Sequence, residues 1–161
     1  MRQLVVSGLL WFAAIGCGLM AGIYFAFSAF IMNSLARIAP QAGIAAMNAI
    51  NSEIVKSLFM PLFIGTTLTA ASLAVLAVLR WSEPNSGALF AGGVLYVAGM
   101  FVVTAVLNVP LNDALAASDP ASIEGATLWT TYLRDWTWWN HVRTLAALGA
   151  SLLFTAAIAA G

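Results

Sequence analysis

The sequence predicts an all-α membrane protein built as a bundle of four transmembrane helices. Four stretches contain no Asp, Glu, Lys or Arg, namely residues 3–36, 57–79, 84–112 and 144–161. Because a helix needs roughly 20 apolar residues to cross about 30 Å of hydrocarbon, each stretch is close to that length or longer. In addition, 62% of the 161 residues are hydrophobic and only 7% are charged. This composition leaves no room for a soluble domain beside the spans.

We therefore expect a single transmembrane domain over residues 1–161. The protein should be integral and multi-pass, in the bacterial inner (plasma) membrane. Its spans are expected near residues 4–32, 58–79, 88–107 and 140–160.

The first span carries a strip of small residues. Ala14, Gly18, Gly22 and Ala26 recur at every fourth position, so they share one helix face. Such a strip lets a neighbouring helix backbone approach closely. It predicts a packing face, either inside the bundle or between protomers of a homo-oligomer. Cys17, the only cysteine, lies in this span and is expected to be a small buried packing residue.

Aromatic residues are concentrated in the second half of the same span. They are Tyr24, Phe25, Phe27 and Phe30. This pattern fits plain core or lipid contact, and it also fits the wall of a site for a flat aromatic ligand.

The segment between the first two spans predicts a short amphipathic helix. Pro40 interrupts the chain, and Ile44 and Met47 then begin an apolar repeat at helical spacing. We expect this helix to lie at the membrane interface or over one mouth of the bundle. Asn48 and Asn51 share a side of it and fit solvated polar residues.

Turn residues define the remaining spans. Pro61 fits the first turn of the second span, and residues 81–87 have the Pro, Asn, Ser and Gly of a tight turn. Spans two and three are therefore expected to be antiparallel neighbours. The third span should stop at Pro110, because proline disfavours a helical conformation for the residue before it.

One further helix is expected to run to the C-terminus. Asp119 reads as its N-cap and Pro120 as its first residue. The helix is either continuous or bent near residues 136–140, and only its last part should lie in lipid. Its first part is expected to extend beyond the membrane.

Polar and aromatic residues concentrate between Leu128 and Thr144. Five of them follow spacings of three and four and so form one continuous helix face: Trp129, Tyr132, Trp136, Asn140 and Arg143. This face fits an interfacial aromatic belt with a snorkelling arginine, or a face that points into the bundle. Since 18 residues follow Arg143, we expect Arg143 and His141 near the hydrocarbon boundary and facing the bundle.

Amides from other segments are expected at the same mouth of the bundle. Asn108 and Asn112 follow the third span, which is antiparallel to the fourth, so they should lie near Asn140. The loop with Asn48 and Asn51 opens on that side too.

Several classes of site are disfavoured. The net charge of zero and the lack of a basic run argue against nucleic acid as a partner. No acidic residue lies in the four uncharged stretches, so a di-metal carboxylate centre is not expected. One His cannot ligate haem twice, and neither a phosphate-binding loop nor a nucleophile elbow occurs. We expect no cofactor, although a metal or haem site completed through His141 by a second protomer stays an alternative.

The remaining groups suit proton abstraction from a hydrophobic acidic carbon. The catalytic candidates are His141 as the base, with Arg143 and Asn140 holding an enolate oxygen. A hydrogen-bonded structural role for His141 is the alternative. A hydrophobic aromatic small molecule or a lipid is the expected partner, and the substrate-binding candidates are Tyr24, Asn108, Asn112, Trp129, Tyr132, Trp136 and Trp139.

Four segments carry a resemblance to a known family. They are GLMAGIYFAFSAFIM at 18–32, AAMNAIN at 45–51, NVPLN at 108–112 and WTWWNHVRT at 136–144. Across nearly its whole length the chain resembles the anthrone oxygenase-like small membrane proteins with four spans. The resemblance implies oxidation of anthrones to anthraquinones in aromatic polyketide pathways, which some fungal and bacterial members are associated with, without metal or flavin. Most bacterial relatives have no assigned substrate.

The resemblance and the chemistry of the residues agree. An anthrone has a doubly benzylic CH₂ and a ketone, so loss of a proton gives an electron-rich phenolate that reacts with O₂ directly. The leading hypothesis is cofactor-independent oxidation by O₂ of a hydrophobic phenolic or polycyclic substrate in a dry aromatic slot. The alternative is a non-catalytic membrane protein that binds lipid or quinone-like molecules, or a structural subunit.

Overall fold

The computed structural model describes residues 2–160, which form helices and turns with no strand in that range. The helical backbone begins at Arg2, and four helices are long and apolar enough to cross a membrane. We label the helices α1 (Leu4–Leu35), α2 (Pro40–Ile54), α3 (Phe59–Leu79), α4 (Ser86–Ala117) and α5 (Ile123–Ala159). The predicted all-α, multi-pass membrane architecture is confirmed.

The short helix α2 is amphipathic, as the sequence predicted. Its buried residues are Gly43, Ile44 and Met47, and they pack against the N-terminal half of α5. The chain enters and leaves α2 at the end of the bundle where α1 ends and α3 begins. The helix therefore covers one mouth of the bundle.

The third span does not stop at Pro110, so that expectation is wrong. The helix α4 continues to Ala117 through two π-helical segments, Val97–Val102 and Thr104–Asn108. The ordinary α-helix resumes at Val109, with Pro110 in its first turn. Pro110 therefore lies where the hydrogen-bond pattern changes from π-helical to α-helical, and not inside a regular α-helical ladder, which it would break.

The N-cap of α5 is Ser122 and not Asp119 as expected. Ser122 Oγ accepts a hydrogen bond from the N–H of Gly125 at 2.9 Å. Asp119 instead accepts from the N–H of Ala121 at 2.9 Å and closes the turn before the helix. The helix is continuous over 37 residues without a break near 136–140. At about 55 Å it is longer than the hydrocarbon core, so one end extends beyond the lipid.

Part of the strip of small residues in α1 packs inside the bundle. Ser151 of α5 donates a hydrogen bond to the carbonyl of Ala14 at 2.8 Å. A Cβ on Gly18 would lie 3.3 Å from Ser151 Oγ, whereas one on Gly22 would meet nothing within 4 Å. Cys17 is buried beside them, as expected. The strip therefore serves α1–α5 packing at Gly18, and a contact between protomers at Gly22 stays a prediction.

Two clusters of buried hydrophobic residues fill the bundle. The larger one lies among the four spans and includes Met20, Leu73, Tyr96 and Phe154. The smaller one joins α2 to the N-terminal half of α5 and includes Ile44, Met47, Leu115, Trp129, Tyr132 and Trp136. Members of both clusters line a cavity, Tyr24 and Phe63 from the larger one and Met47 and Trp136 from the smaller one.

Candidate active site

The cavity has a volume of about 200 Å³ and lies at the mouth of the bundle covered by α2. An apolar cavity of about 150 Å³ holds one benzene molecule, so this one is large enough for an aromatic ring. All five helices contribute to its wall: Tyr24 and Phe27 from α1, Met47 and Asn51 from α2, Phe59 and Phe63 from α3, Thr104, Val109 and Asn112 from α4, and Trp136 and Arg143 from α5. Most of this wall is aromatic or aliphatic.

Arg143 is the charged residue of the cavity. Its side chain is only 4% exposed, and its guanidinium carbon lies 4.4 Å from the ring centre of Tyr24 and 4.9 Å from that of Trp136. Both rings therefore stabilise the cation through their π faces. Nη2 donates to Asn140 Oδ1 at 2.8 Å, and Nη1 donates to Thr104 Oγ1 at 3.4 Å.

No carboxylate neutralises this guanidinium in the part of the chain that the structure describes. The ion pairs found there join Lys56 to Glu53, Arg80 to Glu83 and Arg134 to Asp135. Burial of an unpaired charge costs several kcal/mol even after relaxation. The neutral groups around Arg143 offset only part of that cost. Because none of them carries a negative charge, the cavity carries a net positive charge.

Asn140 fixes the position of Arg143 relative to α1. Its Nδ2 donates to the carbonyl of Tyr24 at 2.7 Å and to Ser28 Oγ at 2.7 Å, while its Oδ1 accepts from Arg143. Both the nitrogen and the oxygen of the amide therefore form hydrogen bonds. Because these bonds are buried, they orient the guanidinium with little freedom.

The π-helical segments supply polar contacts around Arg143 and Trp136. Ser28 lies in the segment Phe27–Ile31, and Thr104 and Asn108 lie in Thr104–Asn108. Asn108 Nδ2 donates to the carbonyl of Trp136 at 3.2 Å, and Asn108 Oδ1 has no partner. Such segments often occur at functional sites because they re-aim side chains within a helix.

The predicted polar and aromatic face of α5 points into the protein. Its five members are all buried: Trp129, Tyr132, Trp136, Asn140 and Arg143. Tyr132 stacks between Trp129 and Trp136, at ring-centre distances of 5.6 and 5.9 Å. Tyr132 also donates to Asn112 Oδ1 at 2.7 Å. Of the three rings only Trp136 lines the cavity, and the other two support it from behind.

His141 does not face the interior, so that expectation is wrong. Its side chain is exposed, and Nδ1 lies 2.9 Å from Ser28 Oγ on the outside of the cavity wall. The reason is helix geometry, because residues one or two positions apart do not share a face. Asn140 and Arg143 are three apart and both point inward, which turns His141 away. Trp139 is half-buried and also lies outside the cavity wall.

The aromatic segment of α1 divides between two environments. Tyr24 and Phe27 line the cavity, whereas Phe25 and Phe30 are exposed on the outer surface of the bundle. Asn51 lines the cavity rather than lying in solvent, and Asn48 Oδ1 is buried as well.

Several wall residues had no signal in the sequence. Phe59 and Phe63 lie in an apolar run, where nothing distinguishes them from lipid-facing residues. Thr104 reads as an ordinary helix threonine that bonds back to a carbonyl, which it also does. Its second contact, with Arg143, depends on how α4 and α5 pack.

Metal-ligating residues are scattered over the described residues. Between residues 2 and 160 no three His, Cys, Asp or Glu side chains come close enough together to hold a metal ion.

Residues 55–153 match the model of the anthrone oxygenase family, which is more than half of the chain. The chain belongs to the anthrone oxygenase family. The matched part of this anthrone oxygenase family member includes α3, α4 and most of α5, and with them Thr104, Asn112, Trp136 and Arg143. The walls from α1 and α2 lie outside it. No curated protein and no solved structure matches the chain.

Proposed function

We propose that this member of the anthrone oxygenase family oxidises a hydrophobic phenolic or polycyclic substrate with O₂, without a cofactor, inside the cavity described above. The observation that carries the proposal is Arg143, a buried guanidinium without a carboxylate partner in the wall of an aromatic cavity. A cation at this position stabilises an oxyanion that forms on a bound aromatic molecule.

The proposed reaction balances with O₂ as the only oxidant. The doubly benzylic CH₂ of the substrate loses one proton, and the resulting phenolate gives electrons to O₂ and forms a C–O bond. The peroxide takes up a proton. It then loses water as the O–O bond breaks and the second C–H proton leaves. In total one CH₂ and one O₂ become one C=O and one H₂O.

One side chain is proposed to contact the substrate oxygen, and the others position that side chain. Arg143 lines the cavity and is the proposed catalytic residue, since the phenolate oxygen would lie against its guanidinium. Asn140 acts through Arg143 and is a positioning residue. His141 reaches this network only through Ser28, so we propose a positioning role for it in place of proton abstraction.

Proton removal in this scheme falls to water. Among the described residues that line the cavity, none is an Asp, Glu, His or Cys. The positive charge of Arg143 lowers the free energy of the substrate anion, and the proton leaves through the open end of the cavity. Catalysis then depends on stabilisation of the anion more than on a strong base.

Aromatic contact and amides supply the rest of the proposed binding site. Tyr24 and Trp136 present ring faces to the cavity, and Asn112 lies on its wall. Asn108, Trp129 and Tyr132 support these groups from behind, through the carbonyl of Trp136, the stacked rings and Asn112.

The test is quinone formation by the protein in lipid vesicles. Anthrone and O₂ should give anthraquinone faster than in protein-free vesicles, with matching O₂ consumption. Arg143→Gln should lower the protein-dependent rate by about a hundred-fold, because it removes the proposed oxyanion partner.

The matched control is Arg134→Gln, which removes the same charge from an exposed position in the same helix. It should leave the rate within a factor of about two, as expected for an exposed ion pair. His141→Gln should retain most of the rate. Equal rates for wild type and Arg143→Gln, with both correctly folded, would contradict the proposal.

A second candidate function is binding without turnover. The lack of an ionisable base among the described cavity residues favours it, because such a site holds a lipid or quinone-like molecule without reacting with it. Tight binding of anthrone with no quinone above the vesicle background would identify this function.

A further inference from the structure

The polar atoms of the cavity are unevenly divided between donors and acceptors. Arg143 Nε and Trp136 Nε1 are buried donors without an acceptor, and both residues line the cavity. Both residues are only 4% exposed, so the two atoms are enclosed by the protein. Buried donors normally have partners, and these two lack one in the protein.

Three acceptors in and around the cavity are already occupied. Asn112 Oδ1 accepts from Tyr132, and Asn140 Oδ1 accepts from Arg143. Thr104 Oγ1 accepts from Arg143 and donates to the carbonyl of Met100. Asn51 also lines the cavity, and its Nδ2 is a further donor without a partner. A ligand therefore meets an unpaired positive charge, which favours a charged acceptor on the ligand over a neutral one.

From this unpaired charge we infer that the cavity binds a hydrophobic monoanion, a phenolate or an aromatic carboxylate, in preference to a neutral molecule of the same size. The inference deepens the proposed function, since it rests on the same site and states the charge of the ligand that the site holds best. The anion supplies the countercharge that Arg143 lacks among the described residues. A neutral ligand supplies no countercharge.

The wall of the cavity agrees with an amphipathic anion. It is mainly aliphatic and aromatic, and it includes Val55 and Met60, where α2 connects to α3. Val55 and Leu58 are exposed there. Apolar residues exposed at this connection place the entrance in the interfacial region, where an aromatic anion concentrates with its charge near the headgroups.

The experiment compares two ligands of equal size that differ in charge. The probes are 2-naphthoate, an anion at neutral pH, and 2-naphthamide, which is neutral. Neither has a benzylic hydrogen to oxidise, so binding is measured apart from turnover. Binding to the protein in nanodiscs is followed by ligand fluorescence, after subtraction of the signal from empty nanodiscs.

We expect naphthoate to bind wild-type protein at least about ten-fold more tightly than naphthamide, which is the effect of one charge-assisted interaction. In Arg143→Gln the two affinities should become equal, while Arg134→Gln should keep the wild-type ratio. Arg143→Lys, which keeps the charge, should retain part of the preference and covers the case in which the Gln variant does not fold.

Equal binding of the two probes to wild-type protein would overturn the inference, and so would an anion preference that survives in a folded Arg143→Gln variant. Neither result contradicts the proposed oxidation, because quinone formation is measured in a separate assay. Conversely, selective naphthoate binding without any quinone formation would support the inference and count against the oxygenase proposal.

Discussion

Asn140 is the residue on which the geometry of the cavity depends most. Its amide bonds to the carbonyl of Tyr24, to Ser28 and to Arg143, so one side chain joins α5 to α1 and orients the cation. Its neighbour His141 bonds only to Ser28 and lies on the surface. Adjacent residues of one motif therefore have different structural roles.

We expect Asn140→Leu to destabilise the protein by about 2–4 kcal/mol, since it leaves buried groups of Tyr24 and Arg143 without partners. The measurement is thermal unfolding in detergent, followed by circular dichroism. The same change at Asn33, an exposed asparagine of α1 that bonds only to its own helix at 3.5 Å, is the control and should have little effect. A similar loss of stability in both variants would show that the three hydrogen bonds of Asn140 contribute no more to stability than the one hydrogen bond of Asn33.

At the scale of residues, spacing predicted that five residues of α5 share one face, and of the two directions left open for that face the structure has the inward one. Positions 129, 132, 136, 140 and 143 follow the helical repeat, and all five are buried. The same spacing places His141 on a different face of the helix. The expectation for His141 was wrong because it rested on the suitability of an imidazole as a base and not on the position of residue 141 in the helical repeat.

Among the elements, α2 makes one especially close contact with α5. Gly43 packs on the ring of Trp129, and a Cβ built at Gly43 would lie 2.7 Å from Trp129 Cζ2. That is too close for a real contact, so the ring or the helix would have to move. Since α2 carries Met47 and Asn51 of the cavity wall, a displacement of this helix would change the cavity.

Gly43→Ala should therefore destabilise the protein by about 1–3 kcal/mol through overpacking and weaken naphthoate binding. Thermal unfolding and the binding titration measure the two effects. Gly8→Ala is the matched control, because a Cβ at Gly8 would meet nothing within 4 Å. If Gly43→Ala behaves like Gly8→Ala in both measurements, α2 does not depend on this contact.

The end of α4 differs from the one that the local sequence predicts. The sequence located each helix, yet α4 passes Pro110 because two π-helical segments precede it. No residue pattern in the sequence distinguishes these segments from ordinary α-helix. Such turns are rare and frequent at functional sites, so local helix rules do not predict them.

At the scale of the whole molecule, the polar groups converge at one end of the bundle. Asn51, Thr104, Asn112 and Arg143 line the cavity there, while Thr66, Thr67, Thr69 and Ser86 are the buried polar residues away from it. Val55 also lines the cavity and is 57% exposed, so we expect the entrance beside it. An indole there would narrow the entrance without disturbing the core.

Val55→Trp should slow naphthoate association several-fold and leave the unfolding temperature nearly unchanged, because access is restricted while packing is not. Stopped-flow fluorescence measures the association rate. The control is Val78→Trp, which introduces the same residue at the opposite end of the bundle, where Val78 is also 57% exposed. Identical association rates for the two variants would place the entrance elsewhere.

The sequence by itself determined the membrane bundle, its amphipathic covering helix, the face that five residues of α5 share and the resemblance to the anthrone oxygenase family. These follow from local properties, since hydropathy and helical spacing act over neighbouring residues. Only the tertiary structure decided that Arg143 meets Tyr24 and Thr104, that Phe59 and Phe63 form a wall, and that His141 stays outside. Contacts between residues far apart in the chain depend on the rotation and the offset of whole helices, and no periodicity within one helix encodes them.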